Sequence, residues 1–280
     1  IAWNGLQPRF AECDAASFQL DLADAQARAG DIGGILATHV FGAPCAWVGT
    51  GGQLLCQSLP AGRGPTPAAP LAPTGPNVQE HRGGVAPVRT YQDLLTSAHD
   101  EHLFTYHGTS QLVFVNAATG ERTPLGRPAL HTQAQPSPDG QHVLVTTLTA
   151  PFSRLVPWDD FAKTIAVWDR GGAVTKTVAT LPVADNIPNS GVPTGPRAVR
   201  WQPSAPATLT WAEALDGGNP KTMVPQRDKV VTLAAPFNGT PAELARTEHR
   251  FAALQWTDKG VGLLTENDRT TRRTRTWVLD

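Results

Sequence analysis

Three features of this sequence predict an all-β fold, a β-propeller of about five partial or complete blades with four antiparallel strands each. Short apolar or alternating runs of strand length, separated by tight-turn residues, follow one another from end to end. A strand ending in Trp, or an equivalent, and leading into a polar Gly or Pro turn recurs at Trp3, Trp47, Gln135, Trp201 and Trp256. The first interval is 44 positions and the last 55, close to the ~40–50-residue, four-strand repeat of propeller blades. Such a unit buries both sheet faces only by stacking on its neighbours.

Taken in order, Cys45 to Cys56 reads as a hairpin turning at Gly49 to Gly52. Counting outward from that turn sets Val48 against Gln53 and Cys45 opposite Cys56. Directly opposed residues lie ~4.5–5.5 Å apart. Two readings follow: a cross-strand disulfide in an oxidising compartment, or two reduced cysteines acting as small buried hydrophobes. Gln111–Asn116 is a strand, 117–120 a turn and Glu121–Leu125 the return. Leu130–Gln135, a turn at Pro136-Ser-Pro-Asp-Gly140, and Gln141–Thr146 follow. Thr164–Trp168 turns at Asp169-Arg-Gly-Gly172 into Ala173–Thr180. Later strands are Ala198–Gln202, Ala207–Ala214, Lys229–Ala235, Phe251–Trp256, Val261–Glu266 and Arg273–Leu279. Pro241 and Glu243 fit a helix start, a plainer reading of this stretch than the glycosylation acceptor Asn238-Gly-Thr240.

One segment, 60–103, interrupts the pattern. Pro60, Pro65, Pro67, Pro70, Pro73 and Pro76 mark an extended surface loop. Thr90-Tyr-Gln-Asp93 then resembles a capping box. Tyr91, Leu94, Leu95 and Ala98 share one helical face, predicting a short helix to about Leu103. The whole is an insertion within a blade, so residues 1–280 form one propeller portion.

The 23 basic and 24 acidic residues nearly cancel, which argues against a nucleic-acid binder or a polybasic membrane binder. No run of ~18 apolar residues is present, so no membrane span is expected. Gly at 26 and Pro at 25 residues exceed ordinary usage but fall short of the ~25–30% of disordered low-complexity chains. The chain opens in strand-like sequence without Met or a leader, so a native N-terminus upstream of Ile1 is expected.

An α/β-hydrolase presents its nucleophile on a Gly-x-Ser-x-Gly elbow, where glycines permit a strained strand-to-helix turn. None of the eight serines lies in that frame. The nearest, Gly108-Thr-Ser110-Gln-Leu112, opens a strand instead. Alternating parallel strands and long helices are also missing, so no catalytic residue and no Ser/His/Asp triad is expected here. His99-Asp-Glu-His102 with His107 reads as a solvated helix face rather than a metal site, and no cofactor is expected. Arg273 and Arg275 fall on one face of a strand, with Thr274 and Thr276 opposite. Glu213 and Asp216 sit at a strand end one repeat earlier. These four residues either tie two blades together as ion pairs or face substrate, the arginines attracting acidic peptide.

Several stretches carry a family resemblance: Leu59-Pro-Ala-Gly-Arg-Gly64, Gly75-Pro-Asn-Val-Gln-Glu80, Pro87-Val-Arg-Thr-Tyr-Gln-Asp-Leu-Leu95 and Ala98-His-Asp-Glu101. Pro136 to Gly140, Trp211-Ala-Glu-Ala-Leu-Asp-Gly-Gly218 and Thr271 to Trp277 extend it in collinear order. Together they resemble the prolyl-oligopeptidase family of serine peptidases, glutamyl-endopeptidase type. The resemblance implies an N-terminal propeller followed by an α/β-hydrolase domain with a Ser/Asp/His triad, and cleavage after Glu. It also favours an exported bacterial protein. The sequence departs from the family in stopping at Asp280, before that domain. Residues 1–40 match only through Trp3 and Leu20-Asp-Leu-Ala-Asp24, and Val156-Pro-Trp-Asp-Asp-Phe161 replaces a Ser-Arg-Phe-type sequence.

The expected function is a non-catalytic gate over a hydrolase domain that this chain lacks. Its partners would be that domain and peptide or protein substrates with acidic residues. The alternative is a free-standing propeller used as an interaction module. A propeller enzyme with its own site would need converging carboxylates or a metal cluster, and neither is evident.

Overall fold

Val143, Leu144 and Val145 are consecutive and all but fully buried, as in a strand covered on both faces. The structure, a computed structural model, describes residues 45–71, 91–257 and 259–279, all within one compact unit that begins at Cys45. Its strands form four antiparallel meanders. Sheet 1 holds β1 (Cys45–Val48), β2 (Gln53–Ser58), β3 (Ser110–Asn116) and β4 (Arg122–Ala129). Sheet 2 holds β5 (His131–Pro136), β6 (His142–Leu148), β7 (Lys163–Asp169) and β8 (Val174–Leu181). Sheet 3 holds β9 (Arg197–Trp201), β10 (Thr208–Ala214), β11 (Asp228–Ala234) and β12 (Ala242–Thr247). Sheet 4 holds β13 (Arg250–Trp256), β14 (Gly262–Asp268) and β15 (Arg273–Leu279). In each sheet, spatial order follows chain order, as in propeller blades.

The sheets stack face to face, and alternation along the strands explains how. Val143 and Val145 pack with Val48, Leu55, Leu112, Phe114 and Leu125 of sheet 1. Leu144, between them, points the other way and joins Trp201, Leu209, Trp211, Val231 and Phe237 of sheet 3. Ala212 and Val230, neighbours of Trp211 and Val231, reverse again to meet Leu254 and Leu264 of sheet 4. Three separate cores thus join four sheets. A buried Leu or Phe side chain in such a layer contributes about 1.5–3 kcal/mol.

The repeated Trp positions have a structural meaning. Trp47, Gln135, Trp201 and Trp256 all lie in the first strand of their sheet, β1, β5, β9 and β13. The Trp201 indole N–H donates to the Gln135 carbonyl at 2.9 Å, linking two first strands directly. Trp3 and Leu20–Asp24 lie outside the described residues, as does any blade they would form.

The β1–β2 pairing sets Cys45 opposite Cys56 and Val48 opposite Gln53, and the two cysteines are joined in a disulfide. Two expectations need correction. Helix α1 runs Ala98–Gly108, several residues beyond the predicted start. Asp93 has φ +58°, a left-handed backbone that cannot continue an α-helix. The cap is Ser97, whose hydroxyl accepts the Asp100 N–H at 3.1 Å while Asp100 accepts the Ser97 N–H at 2.9 Å. Thr90 lies outside the described residues. Residues 242–247 form strand β12 rather than a helix start, paired to β11 from Asp228–Thr247 to Thr232–Ala242.

Candidate functional site

Antiparallel meanders place alternate connections at opposite ends of the sheets. At one end the links are short: 49–52, 117–121, 137–141, 170–173, 202–207, 235–241 and 257–261. The Pro136 to Gly140 turn is typical. Asp139 accepts the Ser137 hydroxyl at 2.5 Å and the Gln141 N–H at 3.0 Å, and Gly140 supplies φ +69°. The other end carries the long links: 59–109, 149–162, 182–196 and 215–227. This elaborated end concentrates the side chains of interest, since chemistry is placed on loops held by a rigid scaffold.

Two features are built there. The first is a small cavity of about 160 Å³ between 156–160 and 184–193, lined among others by Tyr91, Asp160, Asp185, Asn189 and Ser190. Burial first, and the nearby Asp159 charge second, hold the Asp160 carboxyl above its ordinary range. Under the adjoining helix, Phe104 meets Phe152 and Phe161 edge to face, at 5.2 and 5.7 Å between ring centres.

The second is an ion cluster between sheets 3 and 4. Asp216 and Asp228 are both fully buried carboxylates. Arg250, first residue of β13, reaches Asp216 at 2.5 Å and Asp228 at 2.8 Å. Arg227 pairs with Asp216 at 2.8 Å, and Arg197, first residue of β9, pairs with Asp228 at 2.5 Å. Asp216 also accepts the Gly218 N–H at 2.9 Å, and Asp228 the Phe251 N–H at 2.7 Å. Burial alone would raise the Asp216 carboxyl. Hydrogen bonds and charge from Arg250 and Arg227 outweigh that and leave it below its ordinary range. Burial lowers the Arg197 guanidinium, with only partial compensation from Asp228.

The residues singled out by sequence are not brought together as a quartet. Asp216 sits past the end of β10, where its partners are Arg227 and Arg250 rather than Arg273 or Arg275. Glu213 stays within sheet 3, accepting the Trp211 indole N–H at 2.8 Å and pairing with Lys229 at 2.9 Å. Arg275 is held within sheet 4's own surroundings, 2.8 Å from Glu248 and 3.8 Å from the buried Glu266. Arg273 is exposed, across from Asp268 in the β14–β15 register. Sequence reasoning missed Arg197, Asp228 and Arg250. A signal was available: Arg197 and Arg250 both open a first strand that ends in the repeated Trp.

Among the described residues no three His, Cys, Asp or Glu side chains converge as a metal site, and no helix is long and apolar enough to cross a membrane. Of the helix α1 residues read as solvated, Glu101 pairs with Arg154 at 2.8 Å.

No family model matches the chain. Curated relatives do. The chain is 38% identical over 238 residues to a rice protein named probable glutamyl endopeptidase, chloroplastic, covering 83% of this chain. An Arabidopsis thaliana protein of the same name is 38% identical over 231 residues, covering 81%. The chain is a homologue of the glutamyl endopeptidases. This agrees with the prolyl-oligopeptidase-family resemblance of its motifs. The homologous stretch spans about a quarter of each relative, 25% and 24%. Solved structures overlap this glutamyl-endopeptidase homologue more loosely. An oligogalacturonate lyase in complex with manganese gives a TM-score of 0.39 at 16% identity, over 62% of this chain and 43% of its own. The Pyrococcus horikoshii acylaminoacyl peptidase gives 0.36 at 13%, over 61% and 26%. Neither overlap bears on activity or substrate.

Proposed function

We propose that this chain is the non-catalytic propeller portion of a serine endopeptidase that cleaves after Glu, and that it gates peptide access to a hydrolase domain outside this chain. The observation that carries the reading is where exposed apolar side chains fall. Among the described residues, six of the ten exposed large hydrophobics, Leu59, Leu71, Leu155, Trp158, Leu215 and Met223, lie on the long links of the elaborated end, while Trp47, Val174, Trp277 and Val278 lie on strands. Exposed apolar groups gathered on one face, rimmed by polar residues, mark a docking surface. A second domain covering that end would reach the buried ion cluster and the 160 Å³ cavity. Restricting entry there excludes water and orients substrate, which is how a non-catalytic domain contributes to rate.

The test is to read the native gene past both ends of this chain. A Gly-x-Ser-x-Gly elbow downstream, followed by Asp and His, supports the gate. A stop codon soon after Asp280 overturns it and leaves a free-standing interaction module. The chain alone is expected neither to hydrolyse Glu-containing peptides nor to react with a fluorophosphonate.

A further inference from the structure

The cavity between 156–160 and 184–193 has a volume of about 160 Å³, room for a group of about six heavy atoms. Its walls are of two kinds. Val156, Ile187 and Pro193 form an apolar side, and Val156 is itself fixed in a core with Leu130, Leu148 and Phe161. Asp160, Asp185, Asn189 and Ser190 form a polar side. None of these four side chains has a hydrogen-bond or ion-pair partner among the described residues, whereas Asp216 and Asp228 nearby in the chain are each held by two arginines. Lys163, the cation that offsets Asp160, gives its Nζ to the Asp159 carbonyl instead.

The cavity is also preformed, as small-molecule sites usually are. The Gly191 N–H donates to the Pro188 carbonyl at 2.7 Å, and the Val192 N–H to the Gly218 carbonyl at 3.0 Å. A Cβ on Gly191 would fall 2.6 Å from that same Gly218 oxygen, so the 188–193 wall lies close against the 215–227 link. The Ala184 N–H donates to the Asp160 carbonyl at 2.8 Å and ties the two walls together. Access is open: Asn189 is exposed, and Asp160, Asp185 and Ser190 are half-buried.

We propose that this cavity binds a primary alkylammonium group, the ammonium on the Asp160 and Asp185 carboxylates and the methylene stem along Val156, Ile187 and Pro193. An ammonium has three donors and no acceptor, which suits a lining of carboxylate, amide and hydroxyl oxygens, and its bonds to carboxylates are the strong, charge-assisted kind. A bound cation would also relieve the burial that holds the Asp160 carboxyl above its ordinary range. The inference does not depend on the peptidase reading. The group's source is either a lysine of a peptide or a free diamine.

The backbone amide resonances of Ser190 and Gly191, recorded by ¹H–¹⁵N NMR on the chain at low ionic strength, read the cavity directly. Butylammonium chloride is expected to shift them saturably, while butanol, which carries the same stem without the charge, leaves them in place. Tighter binding of N-acetyl-lysine amide than of diaminobutane assigns the group to a peptide lysine, and the reverse order assigns it to a free diamine. Asp160→Asn and Asp185→Asn should each weaken butylammonium binding about tenfold, the equivalent of one charge-assisted hydrogen bond, and the second variant decides if the first does not fold. No saturable shift with butylammonium, an equal shift with butanol, or unchanged affinity in the folded variants overturns the site.

Discussion

Asp228 on β11 and Arg250 on β13 belong to different sheets, yet their charged groups lie 2.8 Å apart. The Asp228 side chain is fully enclosed, so the pair is a tie between blades rather than a surface decoration. Removing this cation, as in Arg250→Met, takes one of two arginines from each buried carboxylate and leaves Arg227 on Asp216 and Arg197 on Asp228. The expected loss is about 1.5–3 kcal/mol, measured as a lower urea midpoint at unchanged m-value. Arg246→Met, by contrast, breaks an exposed pair with Glu243 and should cost about 0–1 kcal/mol.

Gly218→Ala should destabilise the elaborated end. Gly218 adopts φ +75°, and an added Cβ would fall 2.0 Å from the Val192 carbonyl oxygen. Backbone strain alone costs roughly 1 kcal/mol, and the steric clash adds to it. Hydrogen exchange should report faster opening at the Val192 N–H, which donates to the Gly218 carbonyl at 3.0 Å.

His131 is buried, and burial lowers its imidazole below the ordinary value of 6.5 despite the Arg127 carbonyl. Thr147 Oγ1 lies 3.0 Å from one ring nitrogen and the Arg127 oxygen 3.2 Å from the other, so the neutral ring is satisfied. The unfolded chain therefore takes up this proton first. The contribution is complete above pH 6.5 and is lost as pH falls below it. Comparing His131→Gln with the parent chain by denaturation from pH 7.5 to 5 should show a shallower slope, by up to about 1.4 kcal/mol per pH unit.

Helix α1 should loosen at its first turn in stronger acid. Hydrogen bonds from Thr96, larger than the opposing burial, hold the Asp100 carboxyl at about 2 against 3.8 ordinarily. Its support is present above pH 3.8 and lost as pH falls through about 2. Ser97→Ala, which removes the other half of the box, should cost about 1 kcal/mol at neutral pH.

Replacing both Cys45 and Cys56 by Ser should cost about 2–3 kcal/mol through the freed unfolded chain, read as a lower thermal midpoint. An unchanged midpoint would mean that the β1–β2 hairpin is already held by its pairing.

The strands were legible wherever burial on both faces imposed an apolar run, as at Val143–Val145, or where a turn left a local signature, as at Gly49–Gly52. Strand β12 was not. Ala242-Glu-Leu-Ala-Arg-Thr247 consists largely of helix formers, and its strand state comes from pairing with β11, a long-range term that overrides propensity. The start of α1 was misplaced because two capping-box patterns occur in succession, and only the φ of Asp93 decides against the first. Within the cluster, Asp216 was visible as chemistry but its partners were not. Arg197 and Arg250 acquire meaning only once sheets 3 and 4 are stacked and both first strands begin at one end.

The unequal lengths of the links at the two ends have an evolutionary consequence. A residue inserted at 117–121 or 170–173 shifts a hairpin register and turns an entire strand face outward. One inserted at 182–196 alters only loop closure, where even a doubling of length costs about 0.6 kcal/mol. Descendants of this sequence can therefore rewrite what the molecule touches while inheriting, nearly unchanged, the instructions for how it folds.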